Sequence, residues 1–211
     1  MYKRSVYQIA DDATINAFID QHPFAMLMGC DVQHRPVATQ LPLFMEQVKE
    51  KRVVRGHMMK HMDHYTAFQE NKNALVVFTG PWAYVSAQWY KNPNRASTVN
   101  YMSVHARGKL QFLGTDALAE ILRKTSLYFE NQNTHSPTVF DQLPADYTRQ
   151  MMPHIVAFEI QITDLEVVFK LSQDQDEKNY EQIIEKLRVK DAPAQQVAKE
   201  MESRRQGLFP K

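Results

Sequence analysis

Residues 98–112, TVNYMSVHARGKLQF, show the clearest alternation of apolar and polar positions in this chain. Met102, Val104 and Ala106 fall on one side of the extended backbone, and the polar residues between them fall on the other. A period of two residues is typical of a half-buried antiparallel strand. Apolar or alternating runs predict further strands at Phe24–Cys30, Pro36–Met45, Arg52–Met58 and Ala74–Gly80.

Two more alternating runs follow each other directly towards the carboxyl end. In residues 156–162 the apolar side chains occupy even positions, and in residues 165–171 they occupy odd positions. We interpret this change as a hairpin that turns near Thr163 and Asp164. The prediction then amounts to about seven strands, of which the first two also form a hairpin.

Apolar residues at helical spacing predict helices outside these strands. One helix follows Asp11 and Asp12, one contains Tyr65 and Phe68, one begins at Thr115, one extends from Tyr180 to Leu187, and one begins at Asp191. Residues 131–146 are predicted as a long polar loop. Because few helices separate the strands, alternating βαβ units are excluded, and an α+β fold with an antiparallel barrel or sandwich flanked by helices remains.

The composition is that of an ordinary globular protein. Lys and Arg number 25 against 24 Asp and Glu, so the net charge is +1 and predicts no general affinity for nucleic acid. Cys30 is the single cysteine, which excludes an intramolecular disulfide and favours a reducing compartment. The amino terminus lacks the apolar stretch of a signal peptide, and no segment approaches the ~18 apolar residues of a membrane span. We therefore expect a soluble cytoplasmic protein.

The only sequence spacing that suggests a metal site is that of three histidines. His57, His61 and His64 stand four and three residues apart, which on a helix would place three imidazoles on one face. His57 ends a predicted strand, however, and Asp63 is the only carboxylate close to the set. We therefore predict no metal site and favour hydrogen-bonding or anion-contacting histidines. The GxSxG sequence of serine hydrolases is absent as well.

The segment PWAYVSAQWY, residues 81–90, contains two Trp and two Tyr. Such a segment could stack a planar ligand, or it could close the barrel and line a subunit interface, and its composition favours packing.

The region from Lys170 to Lys211 contains nine Lys and Arg and eight Asp and Glu, so it is not strongly basic. No helix-turn-helix pair is visible in it. The sequence therefore contains no recognisable DNA-binding motif.

Five motifs, in their order and separations, identify a family resemblance. VATQLPL, RGHMMKH, ALVVFTGPWAYVSAQWY, STVNYMSVHARG and FKLSQDQ together resemble the PaiB family of FMN-binding split-barrel proteins, over Met1 to about Leu187. The resemblance implies a six-stranded antiparallel split barrel with added helices, and a homodimer that holds FMN at its interface. It also implies a split-barrel domain at residues 1–172 and a C-terminal helical extension at residues 173–211. Members of the family are labelled negative transcriptional regulators.

The resemblance also implies where the cofactor binds. In related split barrels the flavin phosphate contacts the second barrel strand and the turn that follows the third. Carried over to this chain, those segments contain Thr39 and Gln40, then His57, Lys60 and His61. Lys60 suits a phosphate dianion near a helix start. Trp89, Tyr90 and Asn100 are expected to flank the flavin ring from either subunit.

This sequence departs from the family pattern at several of these positions. Family members usually have His in place of Gln40, a stretch like ARANP in place of Met59–Asp63, and Trp in place of Val99. Lys60 keeps the positive charge of the family's Arg, whereas Asp63 adds a negative charge nearby. These changes bear on how well FMN is held.

Three functions therefore compete. The first, which we favour, is a PaiB-like regulatory protein that binds FMN. The second is a flavin-dependent oxidoreductase on the same fold, in which the flavin supplies the chemistry because no general base or nucleophile matches a known reaction. The third is a dimer that has lost its flavin, which Gln40, Met62, Asp63 and Val99 would explain.

Overall fold

The structure is a computed structural model of the 211-residue chain and describes residues 1–2, 4–9, 11–92 and 94–210. Within these residues seven strands form a single sheet with the order β2-β1-β5-β6-β7-β4-β3. The strands are β1 (Phe24–Cys30), β2 (Pro36–Pro42), β3 (Phe44–Val48), β4 (Lys51–Met59), β5 (Asn73–Val85), β6 (Thr98–Leu113) and β7 (Ile155–Lys170). The pairs β1–β2, β1–β5, β3–β4 and β4–β7 are antiparallel. The predicted α+β split-barrel fold is confirmed.

Six α-helices accompany the sheet in the described part of the chain. They are α1 (Asp12–Gln21), α2 (Asp63–Glu70), α3 (Thr115–Phe129), α4 (Ala145–Met151), α5 (Glu177–Arg188) and α6 (Ala192–Leu208). Aspartate caps begin the last two, because Asp176 accepts the backbone N–H of Asn179 and Asp191 accepts that of Ala194. Among the described residues no helix has the length and apolar character needed to cross a membrane.

The predicted strands differ from the observed ones in three places, of which the first is that β5 continues past its predicted end at Gly80 to Val85. The run 36–45 is two strands, because the backbone N–H of buried Leu43 leaves the ladder and donates to the carbonyl of Pro23 at 2.7 Å. The predicted hairpin at Thr163 and Asp164 is wrong, since β7 is one continuous strand. One predicted strand is thus observed as two, and two predicted strands are observed as one. The number of strands therefore agrees with the prediction.

The described chain divides into two compact units. The first unit comprises Met1–Phe18, Thr79–Val104 and Glu166–Lys211, and the second unit comprises Ile19–Phe78 and His105–Leu165. β7 passes from the second unit to the first between Leu165 and Glu166, close to the position where its apolar side chains change from even to odd positions. The boundary expected between residues 172 and 173 stays a prediction.

Each unit has its own buried residues. In the first unit the rings of Phe18 and Phe169 lie 4.9 Å apart, and the hydroxyl of fully buried Tyr180 donates to the carbonyl of Met201 at 2.8 Å. In the second unit the fully buried large side chains are Ile19, Leu27, Leu43, Met58, Phe68, Phe78, Leu110, Phe158 and Ile160. These residues fix the strand ends and turns that carry the polar groups described next.

Candidate functional site

In the second unit β2 packs against both β4 and α2, and these elements with the turn after β4 carry the first group of predicted site residues. On β2, Thr39 lies opposite Leu27 and Gln40 lies opposite Met26 of β1. Thr39 is half-buried and Gln40 is exposed. A hydroxyl and an amide are therefore presented on a strand that the sheet holds in register.

His57 lies on β4, opposite Ala157 of β7. Its Nδ1 atom is buried and has no hydrogen-bond partner among the described residues. Burial lowers the pKa of this imidazole below its usual value, because the charged form loses its hydration. His57 therefore places a neutral ring with one unused nitrogen under the surface, and such nitrogens usually have a partner.

The turn between β4 and α2 carries Lys60 and His61. The backbone N–H of Lys60 donates to His154 at 2.8 Å and its ammonium donates to the carbonyl of Pro153 at 2.9 Å. His61 is exposed and reverses the chain in the left-handed region, at a φ of 67°. Asn and Asp are enriched in that region and His is likewise tolerated there. The turn thus fixes Lys60 by two bonds and leaves the His61 ring in solvent.

Asp63, the position where the family pattern is broken, begins α2. Its carboxylate accepts the backbone N–H of His64 at 2.7 Å and lies 3.2 Å from Nδ1 of the same residue. One donor of the helix start is therefore already occupied by a side chain of this protein. The described residues contain no group of three or more His, Cys, Asp or Glu that could hold a metal.

The remaining three predicted residues lie in the first unit. Trp89 ends a 3-10 turn, Ala87–Trp89, and the ammonium of Lys190 lies 5.3 Å from its ring centroid. Tyr90 is buried, and burial raises the pKa of its phenol. Asn100 is fully buried; its amide accepts from Ser172 at 3.0 Å and donates to the sulfur of Met201 at 3.4 Å. The structure thus places five predicted residues in the second unit and three in the first.

Sequence reasoning missed a cleft of about 500 Å³ in the second unit, which we call the α3 cleft. It lies between Lys60, the start of α3, α4 and the start of β7, and its lining includes Lys60, Thr115, Leu118, Arg149, Met152 and Val156. Arg149 is 89 positions after Lys60 in the sequence and follows the predicted polar loop. No local pattern connects the two cations, so only the folded chain shows that they share a cleft.

The polar groups predicted for the cofactor in the second unit are of the chemical kinds that bind a flavin phosphoester. Lys60 supplies an ammonium, Thr39 a hydroxyl, Gln40 an amide and His61 an imidazole, all of which can bond to phosphate oxygens. The unused nitrogen of His57 is a further group that a ligand can satisfy. Asp63 opposes this set with one negative charge.

Comparisons with known proteins agree with this fit. The chain matches the family described as "Putative FMN-binding domain" over residues 1–164. It is 31% identical over 207 residues to "Protease synthase and sporulation protein PAI 2" of Bacillus subtilis (strain 168), covering 97% of this chain and 98% of that protein.

Solved structures share the fold. The FAD and heme binding protein from Mycobacterium smegmatis has a TM-score of 0.59 at 18% identity, covering 78% of this chain and 73% of its own. The flavocytochrome Anf3 from Azotobacter vinelandii has a TM-score of 0.56 at 16% identity, covering 80% and 72%. At these identities the likeness concerns the fold alone.

Proposed function

The chain belongs to the PaiB family of FMN-binding split-barrel proteins, and from this premise we propose that it is a flavin-binding regulatory protein that works as a homodimer. The family match over residues 1–164, together with identity along nearly the whole chain to one relative, carries the proposal. FMN is the cofactor that membership of this family assigns to the chain.

The second unit provides the groups that would hold the cofactor. Lys60 and His61 would contact the phosphate from the turn after β4, and Thr39 and Gln40 would contact it from β2. The bound cofactor would be the hydrogen-bond partner that the Nδ1 atom of His57 lacks. When bound, FMN supplies reversible hydride and electron transfer. The side chains of this protein bind and orient it.

The regulatory part of the proposal rests on the relative. The name of the Bacillus subtilis protein includes sporulation, and members of the family that this chain resembles are labelled negative transcriptional regulators. Identity across almost the full length of both chains supports a similar role here. A flavin-dependent oxidoreductase is the alternative, and turnover of a nicotinamide cofactor distinguishes the two.

The homodimer rests on an exposed aromatic face in the first unit. Trp82 and Tyr84 alternate with buried Ala83 and Val85 on β5, and their exposed fractions are 60% and 53%. Exposed aromatic residues of this kind usually cover an apolar face of a partner. A second copy of this chain is the partner that the family resemblance implies.

The test is to purify the protein after growth with riboflavin and to measure the visible absorbance and the released flavin. We expect FMN in equimolar amount with the chain, and no sustained oxidation of NADH or NADPH by the yellow protein. Colourless protein that fails to take up added FMN would contradict flavin binding. Sustained turnover would favour the oxidoreductase instead.

A further inference from the structure

The α3 cleft combines apolar walls with a positively charged rim. Its floor includes Leu118 and Ala157, which are buried in the core of the second unit. Leu113, Met152 and Ile155 pack against this core and also line the cleft. At about 500 Å³ the cleft lies in the range of about 300 to 1,000 Å³ that is usual for small-molecule sites. An apolar molecular body would therefore find a matching surface here.

Two cations lie at the rim. Lys60 is fixed by its bond to the carbonyl of Pro153, a residue that lines the cleft too, and its ammonium retains further N–H groups for a ligand. Arg149 pairs with Asp146 at 3.1 Å, but both side chains are largely exposed, at 78% and 92%. Exposed pairs of this type are weak, so the guanidinium is free to bind an anion as well.

No acidic residue is among the residues that line the cleft in the described chain, and the acidic partner of Arg149, Asp146, lies outside the lining. The polar lining beyond the two cations is the Thr115 hydroxyl and backbone, at the start of α3, where no side chain accepts a cap hydrogen bond. The first-turn N–H groups of α3 add potential of the same sign as the cations. Asp116, in that turn, is exposed and lies outside the lining.

We propose that the α3 cleft is a binding site for an amphiphilic monoanion, a carboxylate with an apolar chain. The chain would lie on Leu118, Met152 and Val156, and the carboxylate would contact Lys60 and Arg149. Of the eight residues expected at the flavin, only Lys60 lines the cleft. Lys60 is thus shared by the two proposed sites, and Arg149, which no expected flavin contact uses, distinguishes this site from the flavin site.

The probes are octanoate and 1-octanol, titrated by calorimetry into the flavin-loaded protein. We expect octanoate to bind at least about tenfold more tightly than octanol, because only the carboxylate forms charge-assisted bonds. Removal of one methylene from octanoate should weaken binding about fourfold. In spectra of methyl-labelled methionine, Met152 should shift, whereas Met201, buried in the first unit, should not.

Two variants test whether the Arg149 guanidinium binds the carboxylate. Arg149→Gln should lower the affinity for octanoate about tenfold while leaving the affinities for octanol and FMN unchanged. Arg123→Gln is the matched control, since Arg123 lies on α3 outside the cleft lining and pairs with Asp141. It should behave like the parent.

Three results would overturn the inference. These are equal affinity for octanoate and octanol, an Arg149→Gln protein that binds octanoate like the parent, and displacement of octanoate from Met152 by FMN in flavin-free protein. The last would assign the cleft to the flavin. If the protein binds FMN but not octanoate, the proposed carboxylate site is excluded and the proposed function is unaffected.

Discussion

At the scale of single residues, three neighbouring side chains of the second unit stand in different physical situations. Lys60 is fixed by backbone and side-chain bonds to the segment before β7. His61 is exposed in the left-handed region, and His57 is half-buried, with its Nδ1 atom buried and unused. Their expected contributions to ligand binding and stability differ accordingly.

Lys60→Ala should weaken FMN binding more than His61→Ala does. The Lys60 ammonium is held in place by its bonds to the segment before β7 and can offer the phosphate a charge-assisted bond of about 1.5 to 3 kcal/mol, whereas the His61 ring is exposed and unanchored. Titration of both variants and the parent with FMN measures the difference. Riboflavin, which lacks the phosphate, is the control and should bind all three alike. An unchanged FMN affinity of Lys60→Ala would remove Lys60 from the site.

His57 should make stability fall as the pH drops below about 6.5. Its pKa is lowered in the folded protein, so the unfolded chain binds more protons in this range and protonation favours unfolding. We expect His57→Gln to flatten the urea-unfolding profile between about pH 7 and 5, by at most about 1.4 kcal/mol per pH unit.

His135→Gln is the control for this profile, since His135 is exposed in a loop. It should retain the pH dependence of the parent. Identical slopes for His57→Gln and the parent would show that the buried imidazole does not titrate in this way.

At the scale of elements, β6 and β7 are neighbouring strands that side-chain contacts connect in the second unit. The guanidinium of Arg107 bonds to Asp164 at 2.9 Å, and the hydroxyl of Thr163 donates to the carbonyl of Arg107. These contacts connect Thr163 and Asp164, the residues predicted to form a turn, to β6. Gly108 lies against the backbone of Gln161 in the same region.

Gly108→Ala should lower the free energy of unfolding by at least about 2 kcal/mol. A Cβ there would overlap the carbonyl oxygen of Gln161 and lie 2.8 Å from Ile160, so the two strands would have to separate. Gly114→Ala is the matched control, because a Cβ at Gly114 meets no atom within 4 Å and its φ is −76°. It should change stability by less than about 0.5 kcal/mol in urea denaturation. Equal effects would contradict the close approach.

At the scale of the whole molecule, the exposed face of β5 predicts self-association. Trp82→Glu should weaken the dimer, because it would bury a charge against an apolar surface. Light scattering after size exclusion should give twice the 24.6 kDa of one chain for the parent and a lower mass for the variant. Val189→Glu, at an isolated residue that is 82% exposed, should stay dimeric. A monomeric parent at about micromolar concentration would defeat the prediction.

Contact with DNA should be weak and dominated by phosphates, since the net charge of the chain is only +1. We expect binding to random duplexes to be lost on raising the salt to about 200 mM. Band-shift titrations at two salt concentrations measure this. Sequence-specific binding that survives the higher salt would contradict it and would point to a reading surface that the sequence does not reveal.

The sequence by itself determined the fold class, the family and most of the elements. Alternation with a period of two is a local property of a half-buried strand, so β1, β4 and β6 could be predicted closely. The apolar stripe from Tyr180 to Leu187 similarly located α5, and Asp191 located the start of α6. The five motifs, taken together in their order and spacing, were sufficient to identify the family, because both properties are read directly along the chain.

Only the tertiary structure decided what depends on distant partners. β7 continues through Thr163, whose hydroxyl donates to the carbonyl of Arg107, 56 positions earlier, and a change in the buried side resembles a turn when only the local pattern is seen. The unused Nδ1 atom of His57 and the cleft that Lys60 and Arg149 both line likewise follow from packing between segments far apart in sequence. Local patterns report which side of an element is buried, and packing alone determines what it is buried against.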